Sequence, residues 1–591
     1  MGRLVLAVAA AAAFAPSLVC AAAPRAVVEG QLDPQLKAAI EVEIGETDRP
    51  IENRFEARRR ARAAAEAAIA VLRSEGYYAY DVQPEVGEGD SPTPRVRIVP
   101  GPRFTVADPT IEWVGTAPAP ADETAAQAAL KLQPGQPGRA ADVVSAEGRI
   151  VSKLSQRGYA DAEAEAREVV VDHADHSVRP TFRIAAGPAV RLDGIQLSTD
   201  GRTNPGWVRG LAPWKPGQRY DPDLVAELER RLRDPGVFDQ VTVALAPPDK
   251  TTADGLRPIV VSLAERKRRT LEVGASYASV EGLGLDLRWI RYNSLRRADT
   301  LTYFGRLSNV DSRLGVTESL PHWGRPAQTL TLDAEGYRAN TKAYDQTGVT
   351  VRADVQRRYG RTSYASVGAS ADYGRTDELR IGTLTPLGRD IVALALHGNV
   401  YLDRSNDPLD PRRGWRLGVT ADPTYLIGHG TLPFLRLQSQ GSAYLPLDRR
   451  ARTVVAGRLR VGTIINGTVD EIPAPQRFYA GGGGSVRGFS YQAVGPRLSD
   501  GDTPQGGLGL IEASVELRQQ LTAQWGFAAF VDAGSISVSR KPDFSNLSVG
   551  AGVGVRYHLP FGPVRVDLAT PVANRQGGAP LQVYVSIGQS F

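Results

Sequence analysis

The chain has one cysteine and one methionine in 591 residues. The cysteine, Cys20, falls in a leader-like stretch, so a disulfide scaffold, a cysteine-ligated zinc or a cysteine nucleophile has no residues to draw on. Long apolar runs are equally scarce. No stretch after residue 23 approaches the roughly 20 apolar residues of a membrane-spanning helix, which excludes a helical transmembrane bundle. Charge of one sign is missing too, because 70 basic residues against 65 acidic ones are too even a balance for a nucleic-acid binder. There is no Gly-x-Ser-x-Gly elbow, no Walker loop and no His-Glu-x-x-His helix. No local motif therefore points to an enzyme, a cofactor, a metal or a small-molecule substrate, and none of these is expected.

The first 22 residues read as a secretory signal peptide. Arg3 is followed by an apolar stretch from Leu4 to Ala15 and by the small-residue segment Cys20-Ala21-Ala22-Ala23, with cleavage expected after Ala21 or Ala22. Three repeats follow, marked by Gly76-Tyr77, Gly158-Tyr159 and Gly236-Val237-Phe238 at spacings of 82 and 78 residues. Each places an amphipathic helix before a glycine stop and an aromatic before the next strand. Gly135-Gln136 and Gly217-Gln218 precede the helix in the second and third repeats, and Val99-Pro100-Gly101-Pro102 and Ala186-Gly187-Pro188 close the first two. The reading is three α+β modules, at 23–102, 103–188 and 189–266.

After about Arg269 helical periodicity gives way to period-2 alternation. In the last strand Leu581, Val583, Val585, Ile587 and Phe591 alternate with polar or small residues. Sixteen such segments are expected between 270 and 591, in a barrel domain of 267–591, beginning near 270, 283, 299, 314, 328, 344, 362, 390, 414, 431, 453, 507, 525, 547, 563 and 580. An alternating strand of roughly 9–11 residues spans a bilayer when tilted. The fold class expected is thus three α+β modules followed by a closed 16-stranded antiparallel transmembrane β-barrel. A soluble multi-sheet protein and a passive porin are the blander readings; the first has no need of the signal segment, the missing thiols and the terminal aromatic strand together, and the second leaves the modules superfluous.

Between the eleventh and twelfth segments lies Phe478-Tyr479-Ala480-Gly481-Gly482-Gly483-Gly484-Ser485-Val486-Arg487-Gly488-Phe489. This stretch resembles the hallmark of the outer-membrane assembly and secretion superfamily that includes BamA, TamA and the two-partner secretion transporters, whose modules are called POTRA domains. Val486, Arg487, Gly488 and Phe489 match its loop-six tip, which in the family folds back into the lumen. The resemblance implies acidic partners for the arginine on the inner wall of strands twelve and thirteen, at Glu516 and Asp532, with Gly534 beside them. Alternation agrees, since Glu516 lies between Val515 and Leu517, and Asp532 between Val531 and Ala533. Asp410, Pro411 and Gly414 resemble the family's periplasmic turn between strands eight and nine. The resemblance also implies a weak lateral seam between strand one, Leu271 to Ser279 with Leu271 and Val273, and strand sixteen, with Val585, Ile587, Gly588 and the terminal Phe591. Gly588 is the expected point of an inward bend.

The resemblance implies an outer-membrane protein of a Gram-negative bacterium with its modules in the periplasm. Three modules look like TamA. Its expected work is insertion and translocation of autotransporters and other barrel clients, with unfolded outer-membrane proteins, outer-membrane lipid and a TamB-like inner-membrane-anchored protein as partners. The alternative is a two-partner secretion transporter that exports a large polypeptide through the lumen. His173 and His176 read as part of a solvated turn, and the basic run Arg54 to Arg62 as an exposed helix face.

Overall fold

A computed structural model describes residues 23–47, 49–88, 92–278, 282–360, 362–428, 430–559, 562–576 and 580–591. The signal segment expected at 1–22 and Ser279 of the expected seam lie outside the described residues. The chain divides into two compact units. One comprises residues 1–194, 214–226 and 245–259, and the other 195–213, 227–244 and 260–591.

The first unit contains two α/β sheets. In one, Val27–Glu29, Pro94–Val99 and Asp81–Val86 form a three-stranded sheet in that order, with helices Pro34–Ile44 and Arg54–Ser74 burying Leu36, Ile40, Ala68 and Leu72 against it. In the other, Ser177–Ala185 is central and is flanked by Thr105–Val106 and Thr110–Trp113 on one side and by Glu163–Ala164 and Glu168–Asp172 on the other. Helices Pro120–Ala129 and Ala140–Gln156 pack their Ala126, Val143, Ile150 and Leu154 beneath it. The helix stops follow the repeat. Gly76 and Gly158 have φ of +92° and +96°, and the next amide closes on the carbonyl five residues back, Tyr77 on Leu72 and Tyr159 on Leu154, the Schellman arrangement that glycine permits. His173 and His176 are exposed, each edge-on to buried Phe104 at 5.2 Å. A third sheet orders Arg191–Ser198, Leu256–Glu265 and Phe238–Leu245.

The second unit is dominated by a closed barrel of sixteen antiparallel strands. They are β1 Arg269–Ala278, β2 Gly282–Tyr292, β3 Thr300–Ser308, β4 Asp311–Pro321, β5 Gln328–Asn340, β6 Tyr344–Tyr359, β7 Ser363–Leu379, β8 Pro386–Asp403, β9 Gly414–Gly428, β10 Gly430–Pro446, β11 Thr453–Ile465, β12 Gly509–Gln520, β13 Trp525–Ser537, β14 Ser548–Leu559, β15 Gly562–Ala573 and β16 Gln582–Ile587. Alternation decides which way side chains face. Along β12, Val515 and Leu517 are exposed outward, while Glu512, Ser514, Glu516 and Arg518 are buried within. An outer apolar band and a polar interior are what a bilayer requires of a closed sheet.

Beside the barrel, Glu265 gathers four donors on one oxygen, Oε1: the Arg202 and Thr203 amides, the Thr203 hydroxyl and the Asn293 side-chain amide, all at 2.6–2.9 Å. In the turn after β4, His322 Nδ1 accepts the Ala327 amide at 3.1 Å, so Nε2 carries the proton and donates to the Arg231 carbonyl at 2.7 Å. Burial pushes the imidazole below its ordinary value. A proton added at Nδ1 would displace the Ala327 amide, and the unfolded chain takes that proton more readily, so the stability this contact contributes is full above about 6.5 and is lost progressively at lower pH. Protection of the Ala327 amide, its exchange taken relative to an unstructured amide at the same pH, should therefore fall as pH drops below about 6.5 in the native protein and stay level in His322→Gln.

Candidate functional site: loop six, its acidic seat and the seam

Between β11 and β12 the chain leaves the wall for residues 466–508 and folds inward on a core of its own. Ile472, Phe478, Val486, Phe489 and Val494 pack with Phe434 of β10, Leu510 of β12 and Ile536 of β13. The base of the segment is held at Glu378 of β7, whose Oε2 accepts from the Arg477 guanidinium and the Ala474 amide, both at 3.0 Å. Farther in, Arg458 of β11 donates to the Gly484 and Ser485 carbonyls at 3.0 and 2.8 Å.

The tip is Arg487, 2% exposed. Its Nε and Nη2 donate to the two oxygens of Asp532 at 2.7 and 3.0 Å, and its own backbone amide reaches Asp532 at 3.1 Å. Nη1 donates to Glu516 at 3.1 Å and to Asp567 of β15 at 3.0 Å. The guanidinium also lies 3.3 Å from the Phe530 ring centroid, a cation over a π face in a desolvated site. The expected seat had two carboxylates; the structure has three. Three further guanidiniums, Arg518, Arg556 and Arg565, bridge to Glu516 and Asp567, so buried charge is matched on every side. Asp567 sits between Val566 and Leu568, so the alternation that singled out Glu516 and Asp532 would have found it as well.

Close approach explains the glycines of the seat. A Cβ on Gly534 would stand 2.7 Å from Val486 Cγ2, and one on Gly550 of β14 would stand 1.9 Å from the Arg487 carbonyl oxygen. Gly488 has φ +96°, and a Cβ there would meet the Thr570 backbone. Only a residue without Cβ lets the tip lie flat on the wall. The Gly488 amide then donates to the Tyr584 hydroxyl at 3.2 Å, and that hydroxyl reaches the Phe489 carbonyl at 3.3 Å. Tyr584 belongs to β16, so the loop tip touches the closing strand.

Among the described residues, that strand closes the barrel sparingly. β1 and β2 are paired from Arg269 opposite Arg291 through Ala278 opposite Gly282. Between β1 and β16, among the described residues, Ala278 opposite Tyr584 is the one register pair. Leu271, Val273 and Val585 face outward, 51–65% exposed. The backbone of Ile587 pairs with Val564. At Gly588 the chain turns, with φ +88° and its amide on the Pro563 carbonyl at 2.7 Å.

Phe591 is a correction to the sequence reading, which put it in the seam. Strand pairing ends at Ile587, and after the turn the terminal residues run along the inner wall. Ser590 donates to Glu516 at 2.9 Å, and the Phe591 carbonyl accepts from Arg518 at 3.3 Å. The Phe591 ring lies against Tyr444, Val454 and Ala456, with the Arg458 and Arg518 guanidiniums each 5.4 Å from its centroid. Contact with cations and an aromatic outweighs the alternation that would have placed the ring in lipid.

The turn between β8 and β9 receives this tail. Gln589 donates to Asp410 at 2.8 Å, and Arg412 to the other Asp410 oxygen at 2.8 and 3.0 Å. Burial would raise the Asp410 carboxyl, yet those two partners hold it below its ordinary value. The Pro411 carbonyl accepts from Arg518 at 3.3 Å. Gly414 has φ +97°, and a Cβ there would stand 2.1 Å from the Arg404 carbonyl oxygen.

A sixteen-stranded barrel with an inward-folded sixth loop, an arginine tip on wall carboxylates and α/β modules before it defines an outer-membrane barrel of the POTRA-plus-barrel class. Residues 293–591 match the Omp85 superfamily domain, and the chain belongs to that superfamily. Among curated proteins it is similar to the outer membrane protein assembly factor BamA of Neorickettsia risticii, 23% identical over 472 residues, covering 72% of this chain and 58% of that protein. It is also similar to BamA of Neisseria meningitidis serogroup B, 21% identical, covering 78% and 64%. The chain thus spans about three fifths of the length of these relatives. Among solved structures, BamA from Haemophilus ducreyi lacking POTRA domains 1–3 superposes with a TM-score of 0.67 at 17% identity, over 81% of this chain and 99% of that one.

Proposed function

We propose that the chain is an outer-membrane assembly factor that inserts barrel proteins by offering client strands a weakly paired edge. The observation that carries this reading is the sparse closure, among the described residues, between β1 and β16. A strand entering lipid with unpaired N–H and C=O groups loses several kcal/mol for each, and a loosely closed edge gives it partners before it leaves the wall. The edge strands of the modules, such as Glu168–Asp172, would hold unfolded clients by strand addition. The three-module layout favours a TamA-like specialisation, with autotransporters as clients and a TamB-like inner-membrane-anchored partner on the modules. No nucleotide is needed, because pairing and burial supply the driving force.

A disulfide across the seam tests the edge directly. In a Cys20→Ser background, Ala278→Cys with Tyr584→Cys should stop client insertion when oxidised and restore it on reduction. Equal insertion in both redox states would sink the seam reading. Depletion then separates the rivals. Loss of folded autotransporter barrels marks an assembly factor, whereas intact barrels with one large exoprotein stranded in the periplasm mark a secretion pore.

A further inference from the structure

Across five consecutive strands on the lumenal side, opposite the acidic seat, runs a row of inward side chains: Arg352 of β6, Ser370 of β7, His397 of β8, Asp422 of β9 and Arg436 of β10. Arg352 pairs across the sheet with Ser370, and Asp422 with Arg436. The middle three are joined. Ser370 Oγ lies 2.8 Å from His397 Nε2, and His397 Nδ1 lies 2.9 Å from Asp422 Oδ1. An ionised Asp422 calls for a proton on Nδ1, which leaves the Nε2 lone pair to accept the Ser370 hydroxyl.

These residues line a cavity of about 500 Å³, bounded on the loop-six side by Pro475, Gln476 and Tyr491. Ladder pairing between β8 and β9 runs from Ala395 opposite Thr424 to Gly398 opposite Ala421 and skips the positions between. Pro423 stands there with no N–H to give. The interruption falls where His397 must lean toward Asp422.

We propose that Ser370, His397 and Asp422 form a nucleophilic triad that hydrolyses small, polar carboxylic esters within the barrel lumen. The residue types, their order of contact and both distances are those by which such a triad is recognised irrespective of fold. Ser370 Oγ attacks the ester carbonyl carbon as its proton passes to His397 Nε2. The C–O bond to the alcohol then breaks, and the leaving oxygen takes that proton. Water, deprotonated by the same imidazole, cleaves the acyl-Ser370 ester to a carboxylic acid and restores the hydroxyl. Arg352, whose Nε and Nη2 are committed to Asp354, keeps Nη1 for the oxyanion, as a preorganised donor beside the nucleophile. A polar lining and inward-pointing groups select a small hydrophilic ester over a long acyl chain. The inference stands apart from the assembly role, since it uses neither the seam nor Arg487.

The test uses the full chain, folded in detergent and checked by its heat-modifiable migration. A fluorophosphonate probe should add covalently to Ser370, as read by peptide mass, and p-nitrophenyl acetate should be hydrolysed. Ser370→Ala and His397→Ala should each lower hydrolysis by roughly a thousandfold, and Asp422→Asn by a similar factor through loss of the reactive tautomer. All three variants should keep the wild-type gel shift. A folded wild-type barrel that gives no Ser370 adduct overturns the proposal. So does labelling that persists undiminished in His397→Ala, since a triad serine is inert without its base.

Discussion

Replacing Arg487 with alanine should release loop six from the lumen while leaving the sixteen strands able to pair. The reason lies in how the seat is divided. Glu516 and Asp567 retain Arg518, Arg556 and Arg565 when Arg487 is gone. Asp532, 1% exposed, is held by Arg487 through three separate donors. Removing one partner of a buried pair costs about 3–5 kcal/mol, because the remaining charge must be hydrated or neutralised in place. Hydration is the available route, and it requires the tip to lift. The expected readouts are trypsin cleavage within 466–508 on intact cells, a weakened heat-modifiable shift and loss of client insertion. Arg487→Lys should fall between, since a point charge cannot bridge three carboxylates with one planar fork. Charge reversal is a sharper check. Arg487→Glu with Asp532→Arg would rescue an isolated pair, but here the new glutamate would face Glu516 and Asp567, so the double variant should remain defective. Wild-type protease resistance in Arg487→Ala would show that the apolar packing of Val486 and Phe489 alone holds the loop.

Much of this architecture is legible in one sequence because two periodicities carry it. Period-2 alternation places the strand starts within a few residues of those observed, and glycine stops mark the helices of the modules. The sixth outward loop, its arginine and two of its carboxylates follow from the same alternation combined with a resemblance. What escapes is contact that no local pattern encodes. Tyr584 reads as an ordinary lumenal tyrosine, yet its hydroxyl meets Gly488, 96 residues away. Phe591 continues the apolar face of β16 on paper, whereas Gly588 turns the tail away and the Arg458 and Arg518 guanidiniums hold the ring. Ser370, His397 and Asp422 fall on three strands with no shared motif, and only the register of strand pairing brings them into line. In each case the deciding partner comes from a different strand, so tertiary packing overrides local preference.

Gly550→Ala should reproduce the Arg487→Ala phenotype without altering a single charge. The new methyl would stand 1.9 Å from the Arg487 carbonyl oxygen, and that neighbour is backbone, with no rotamer to yield. Overpacking in a well-packed interior typically costs about 1–3 kcal/mol. Here the strain falls on a loop tip whose apolar contacts and salt bridges all depend on one position. Lifting the carbonyl also withdraws the Gly488 amide from Tyr584, so the link between loop six and β16 should go with it. Protease access at 466–508 should rise as in Arg487→Ala, and hydrogen exchange at the Gly488 amide should quicken. The double variant Arg487→Ala/Gly550→Ala should be no worse than either single one, because both remove the same docked state. Additive losses would mean instead that Gly550 supports β14 itself, at the register shift between Val549 and Gly550, and that the arginine's seat and the wall's geometry are separate requirements. Non-additivity would make the docked tip one cooperative unit, in which a missing Cβ on the wall and a guanidinium on the loop are two halves of the same contact.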